Sequence, residues 1–350
     1  MNLFRGPGRG HALARFVLAI AFFIVAQYLA NQAAQGFTLG AALPLTRNLF
    51  QLFLEIIGFG YMGLAFDKNR QPLQAMGFVS RPGQRFGQLR EFALGAALGW
   101  GMMVSVALVL AFAGTLYVHF WWTPRAFLLL AMQLGTLAAG ALAGEMVFRG
   151  YPFQKLIEAF GSFTATVLAC LFFGLLRMAS PDAGTAGIWV SGIAALLLSL
   201  AYLRTRALWL PWGIHFAWLA SMGMLFGLPI AGNTDGAIVV QTTTYGSRWM
   251  TGGDYGPEAG WLAFLALLVG VYVLLRITRQ LAWQVNQPEL KPAGIPVEIP
   301  HRAPASPVAP AVVSIASQVA PTTTVPSLIQ IAPGTPMAAP AVNRDKTENR

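Results

Sequence analysis

The feature that most constrains this chain is a succession of apolar runs, each nearly free of Asp, Glu, Lys and Arg. They fall near 16–34, 49–66, 92–114, 126–147, 161–178, 185–203, 208–228 and 260–276. Runs of roughly 17 to 25 residues cross about 30 Å of hydrocarbon at 1.5 Å per residue of helix. In lipid the backbone must satisfy its own hydrogen bonds, which leaves helices or closed barrels, and runs without period-2 alternation read as helices. Only 10% of the 350 residues are charged, against about 25% in an ordinary soluble domain. The expectation is an all-α, polytopic membrane helix bundle of about eight transmembrane helices.

The charges between the runs alternate. Arg5, Arg9 and Arg15 precede the first run, Lys68, Arg70, Arg81, Arg85 and Arg90 follow the second, and Arg149 and Lys155 follow the fourth. Arg204 and Arg206 separate the sixth from the seventh, and Arg276 and Arg279 follow the eighth. The intervening loops are poorer in basic residues, with Arg47, then Arg125, then Asp182 near Arg177, then Arg248 against Asp235, Asp254 and Glu258. The positive-inside rule then puts both termini in the cytoplasm of a bacterial-type inner or plasma membrane. The basic N-terminus also resembles a signal peptide, but the first run is long and lacks a clear small-residue cleavage site. It reads as an uncleaved span, with a cleaved signal as the alternative.

Three parts follow from composition: a two-span region with a basic cytoplasmic loop at 1–91, a membrane core at 92–280, and a cytoplasmic tail at 281–350. The core includes a Gly- and Thr-rich external loop at 229–259. The tail holds 12 of the 22 prolines and has no pattern that would bury a core, so it is expected to be disordered or polyproline-like. No internal repeat is visible, against an inverted-repeat transporter. The net charge of +10 is dispersed between apolar runs, without the aromatic and basic stripe of a nucleic-acid binder. Cys170 stands alone in an apolar run and reads as a small buried hydrophobe. No cofactor motif is present, and one core histidine is too few ligands for zinc.

Ionisable residues at membrane depth are expensive and are therefore candidates for function. They are Glu55, Glu145, Arg149, Arg177 and His215. Glu145 and Arg149 share one helix face at i, i+4, which a structural ion pair would explain as well as chemistry would. His215, among the aromatics of Trp212-Gly213-Ile214-His215-Phe216-Ala217-Trp218, reads first as a satisfied interior group. Arg177 can snorkel to the interface. Glu55 lies mid-span, and the sequence names no partner for it.

Gly144-Glu145-Met146-Val147-Phe148-Arg149-Gly150-Tyr151, Phe173 to Arg177, and His215 to Trp218 together resemble the ordered motifs of the CPBP intramembrane proteases, also called the CAAX prenyl protease 2 or Abi family. So does Thr251-Gly252-Gly253-Asp254-Tyr255-Gly256-Pro257-Glu258 before the last run. The likeness spans roughly residues 90–275. The family motifs read Glu-Glu-x-x-x-Arg, Phe-x-x-x-His and His-x-x-x-Asn/Asp. By that resemblance Glu145 and Arg149 fall on the second glutamate and the arginine, and His215 on the third-motif histidine. Gly144 stands where the first glutamate belongs, Arg177 where a histidine belongs, and Leu219 where Asn or Asp belongs. The family's first glutamate and second-motif histidine are held to activate water, and the third motif to stabilise the oxyanion.

Glycine offers no base, a guanidinium cannot be deprotonated and leucine donates nothing. The resemblance thus implies an endopeptidase fold with three of four catalytic positions substituted: a silent relative that binds a membrane peptide or partner protein. One alternative is an active endopeptidase with Glu145 as base and His215 as oxyanion donor or proton carrier. Another, from a different class, is a small-molecule permease. The buried guanidinium of Arg177 needs an acceptor, and Glu145 is expected to lie within reach of Arg177, Arg149 or both.

Overall fold

The structure, a computed structural model, describes residues 8–38, 40–68, 71–78 and 87–279. The chain divides into two units, Met1–Glu289 and Leu290–Arg350. The second unit, the rest of the Pro-rich tail, and the loop residues Arg5, Arg70, Arg81 and Arg85 lie outside the described residues.

Helices form at all eight expected positions. They are α1 (Arg9–Phe37), α2 (Leu43–Ala65), α4 (Gly87–Phe112), α5 (Pro124–Arg149), α7 (Ser162–Arg177), α8 (Gly184–Thr205), α9 (Trp209–Ala220) and α11 (Trp261–Ile277). A single turn, α3 (Pro72–Ala75), follows α2, and α6 (Tyr151–Phe160) and α10 (Arg248–Thr251) lie between the longer helices. Among the described residues five helical segments are long and apolar enough to cross a membrane, the fourth being α5 with α6, and α7 and α11 are shorter apolar helices. The protein is an all-α integral membrane bundle.

Three local results differ from the expectation. The connection after the fourth run is not a loop: after Gly150 the chain turns into α6, which has Pro152 in its first turn, where a missing amide costs little. The loop at 229–259 contains strand β2 (Val240–Thr244), paired antiparallel with β1 (Leu116–Phe120). The threonines at 242–244 that read as loop composition are good strand formers, and the pairing ties this loop to the α4–α5 connection. The seventh run is also shorter than expected as an α-helix. After Ala220 it passes into a π-helical turn, Ser221–Leu225, where Ser221 Oγ donates to Ala217 O at 2.5 Å.

The connections gather at two ends. At one end β1 meets β2, and Arg248 donates to the backbone carbonyl of Asp182. At the other, Lys155 Nζ bonds Asp67 at 2.9 Å, Arg15 bonds the same carboxylate at 2.5 Å, and Leu208 N donates to Gly77 O at 3.1 Å. Alternate connections thus share an end.

Two apolar clusters fill the interior. One joins Met103, Leu110, Leu197, Ile214, Trp218 and Leu267 from α4, α8, α9 and α11. The other joins Phe59, Met146, Tyr151, Phe153, Tyr202 and Leu208 around α2, α5 and α6. The closest helix pair is α4 against α9, where glycines let backbone touch backbone. A Cβ on Gly95 would lie 2.2 Å from Leu210 O, on Gly99 2.3 Å from Ile214 O, and on Gly213 2.3 Å from Phe92 O. Small residues at such crossings drive packing in lipid, where the hydrophobic effect does not. This nesting fixes the depth and rotation of α9, and with them the position of His215.

Candidate functional site

Glu145 and Arg149 end α5, and His215 sits midway along α9. The fold brings all three together. His215 Nδ1 and Glu145 Oε1 are 2.8 Å apart, and Arg149 Nη1 is 3.5 Å from the same oxygen. Arg149 Nη2 donates to Ala195 O of α8 at 3.3 Å, and its guanidinium lies over the Phe173 ring, 5.5 Å from the centroid. A carboxylate can only accept, so at this contact the imidazole donates from Nδ1.

A cavity of about 150 Å³ lies against this trio, lined by Gly144, Arg149, Phe173, Arg177, Ser191, His215 and Trp218 among others. Glu145 is fully buried, whereas the His215 side chain is 31% exposed. The imidazole is therefore the group presented to the space, and Glu145 stands behind it. Gly144 lines the cavity directly. A Cβ there would meet only His215 Cε1, at 3.8 Å, an ordinary contact.

Arg177 lines the same cavity without reaching Glu145. Its Nε donates to Ser191 Oγ at 2.8 Å, its Nη1 donates to the Tyr255 hydroxyl, and its Nη2 lies 3.9 Å from Glu258 Oε2. The expected contact of Glu145 thus exists with Arg149 and not with Arg177. Glu258 also accepts from Trp218 Nε1 at 3.4 Å. Burial pushes the Tyr255 phenol above its usual range, partly countered by the Arg177 guanidinium, so it serves as a neutral acceptor. The loop reaches this position because Gly256 has φ +96 and passes so close to Pro229 that a Cβ would fall 2.1 Å from its carbonyl oxygen.

Leu219 lies apart from these groups. It lines a separate cavity near Asn48, Thr136 and Asn233. Among the described residues no group of three or more His, Cys, Asp or Glu could hold a metal ion. The partners of Arg177 were not anticipated. Tyr255 and Glu258 were visible only as part of a string, and the carbonyl of Ala195 has no sequence signature.

Residues 124–221, from the start of α5 to the end of α9, match the family model of type II CAAX prenyl endopeptidase, Rce1-like. No curated protein and no solved structure matches the chain. The matched segment contains Gly144, Glu145, Arg149, Arg177, His215 and Leu219, and the strings that resemble the family motifs lie on α5, α7 and α9 in the family's order. Over residues 124–221 the chain is therefore similar to the Rce1-like, type II CAAX prenyl endopeptidases.

Proposed function

We propose that this protein is a catalytically silent member of the family that binds a membrane peptide or partner protein through the cavity between α5, α7, α8 and α9. The observation that carries this reading is the pairing at the first motif. The residue facing the cavity is Gly144, and the carboxylate beside it, Glu145, is fully buried and spent on His215 and Arg149. Water activation needs a base within hydrogen-bond reach of the attacking water, and neither Gly144 nor Arg177 supplies one. Arg177 is engaged by Ser191, Tyr255 and Glu258, and Leu219 lines a different cavity, so the third-motif Asn or Asp has no counterpart here. A cavity near 150 Å³ is of the size that takes one aromatic ring. Lined by Phe173, Trp218 and Met102, it suits an apolar anchor residue of a bound peptide.

A fluorescent peptide bearing one aromatic residue in an apolar stretch should bind the reconstituted protein saturably, and Gly144→Trp, which fills the cavity, should abolish binding. Equal binding by wild type and Gly144→Trp would reject the site.

One observation favours a second reading, hydrolysis by a shifted site. The 2.8 Å contact between Glu145 and His215, whose imidazole lines the cavity, is the arrangement of a histidine base oriented by a carboxylate. In that reading the roles are the reverse of those expected from the motifs: His215 is the base and Glu145 its orienting partner.

The orientation belongs to the same proposal. Both termini are placed in the cytoplasm of a bacterial-type inner or plasma membrane, supported by the basic end that carries Arg15, Lys155 and Arg206. A reporter fused after residue 285 should read as cytoplasmic and one inserted near residue 240 as external. Readout of both from one side would overturn the arrangement.

A further inference from the structure

Outside the family-matched segment, α2 carries a carboxyl group that the α5–α9 cavity does not use. Glu55 has no exposed surface and lies near the middle of this 23-residue helix. Its Oε1 accepts from Gln51 Nε2 at 2.9 Å, while its Oε2 is buried with no hydrogen-bond partner among the described residues. The helices packed on α2 bring Arg9, His11 and Arg15 on α1 and Arg125, Glu145 and Arg149 on α5. None of these forms an ion pair with it: Arg15 bonds Asp67, and Arg149 bonds Glu145. A bare carboxylate in such surroundings costs far more than taking up a proton, and an intramembrane carboxyl of this kind commonly marks a proton or ion path.

The same face of α2 carries polar side chains up to Asn48, which lines a cavity. Asn48, Gln51 and Glu55 follow one another at i, i+3 and i+7, on one stripe of the helix. Asn48 lines a cavity of about 610 Å³ whose polar walls include Arg47, Gln133, Thr136, Asn233 and Asp235. Arg47, Asn233 and Asp235 are exposed, so the cavity has its mouth at the end of the bundle that carries the 229–259 loop. Asn48 donates to Thr136 O at 2.9 Å, and Gln51 then reaches down to Glu55. Glu55 lies roughly 10 Å below Asn48 along the helix axis.

We propose that Glu55 is a proton-binding site at the inner end of a water-filled vestibule formed by α2, α5 and the 229–259 loop. The orphaned Oε2 carries the proton, and water from the vestibule is the partner it lacks in the protein. The site does not depend on whether the α5–α9 cavity hydrolyses peptides or only binds them.

Two measurements on the full-length protein in liposomes test this. A hydrophobic carbodiimide adds only to a protonated carboxyl, and digestion followed by mass spectrometry locates the adduct. Wild type should be labelled on Glu55, with a rate that falls about tenfold per pH unit once the proton is lost, and Glu55→Gln, which preserves shape and the Gln51 contact, should lose that adduct. In a Cys170→Ser background, a membrane-impermeant thiol reagent should modify Asn48→Cys from the side bearing residue 240 and Gln51→Cys more slowly. Phe53→Cys, on the exposed apolar face, should not react. An unlabelled Glu55 across the pH range overturns the proton site, and an inert Asn48→Cys overturns the vestibule.

Discussion

Among the described residues two carboxyl groups are sealed inside this bundle, each with an Oε2 that has no hydrogen-bond partner there, and they differ in the cations that face them. Glu145 on α5 is held by an imidazole at 2.8 Å and a guanidinium at 3.5 Å, with Arg149 braced in turn by a carbonyl of α8. Glu55 on α2 has one amide partner and no cationic one among the described residues. Equal burial therefore has unequal consequences. The first carboxylate is a fixed charge that locks three helices together, and removing it strands a cation. The second is a weakly tethered group, which can change charge without tearing a network.

The contrast is broken most severely at the helix pair that positions His215. Gly99→Leu would drive a side chain into the backbone of α9, where a Cβ already falls 2.3 Å from Ile214 O. It should prevent accumulation of folded protein, a loss beyond the roughly 1–3 kcal/mol of ordinary overpacking. Monodisperse Gly99→Leu protein on size exclusion in detergent would show that the α4–α9 contact is not tight.

Next in size is the direct comparison of the two carboxyls. Glu145→Ala leaves Arg149 buried and without its counter-charge, a change that typically costs about 3–5 kcal/mol. Glu55→Gln keeps the Gln51 contact and should cost under about 1 kcal/mol. Reversible unfolding in mixed micelles measures both, and equal losses would erase the distinction between a locked and a loose carboxyl.

The smallest effect is expected at Arg177. Its pairing with Glu258 is 3.9 Å long and its side chain 31% exposed, so the ion pair itself is worth roughly 0.5–1 kcal/mol. Arg177→Gln should show instead as faster hydrogen exchange confined to residues 251–259, which lose their anchor on α7. Unchanged exchange there would mean that the glycine turns alone hold the loop.

Much of this architecture was legible in the sequence because lipid imposes a simple rule on apolar runs. The runs, their approximate ends and their alternating charges were readable. So was the pairing of Glu145 with Arg149 at i, i+4, whereas the arrival of His215 beside them depends on how α9 packs. The β1–β2 pairing was hidden because two five-residue strands separated by more than a hundred residues have no local signature. The α4–α9 nesting did have one, in Gly95-x-x-x-Gly99 facing Gly213, a small-residue spacing that permits close crossing. The expected contact of Glu145 is met by Arg149, but the partners of Arg177 were not readable, because Gly256 delivers Tyr255 and Glu258 from a distant loop. The fate of Leu219 was also invisible, because which of two cavities a side chain lines depends on how α9 is rotated.

The central claim is that the cavity, with Gly144 and Arg177 at the water-activating positions, does not cleave peptides despite the His215–Glu145 contact. Turnover of prenylated and unprenylated peptide reporters by purified wild-type protein, measured beside Glu145→Gln and His215→Ala, tests it directly. The account predicts no cleavage above the lipid blank by any of the three, with Glu145→Gln altering only stability. Wild-type cleavage that disappears in both variants would contradict it and would assign catalysis to the His215–Glu145 pair.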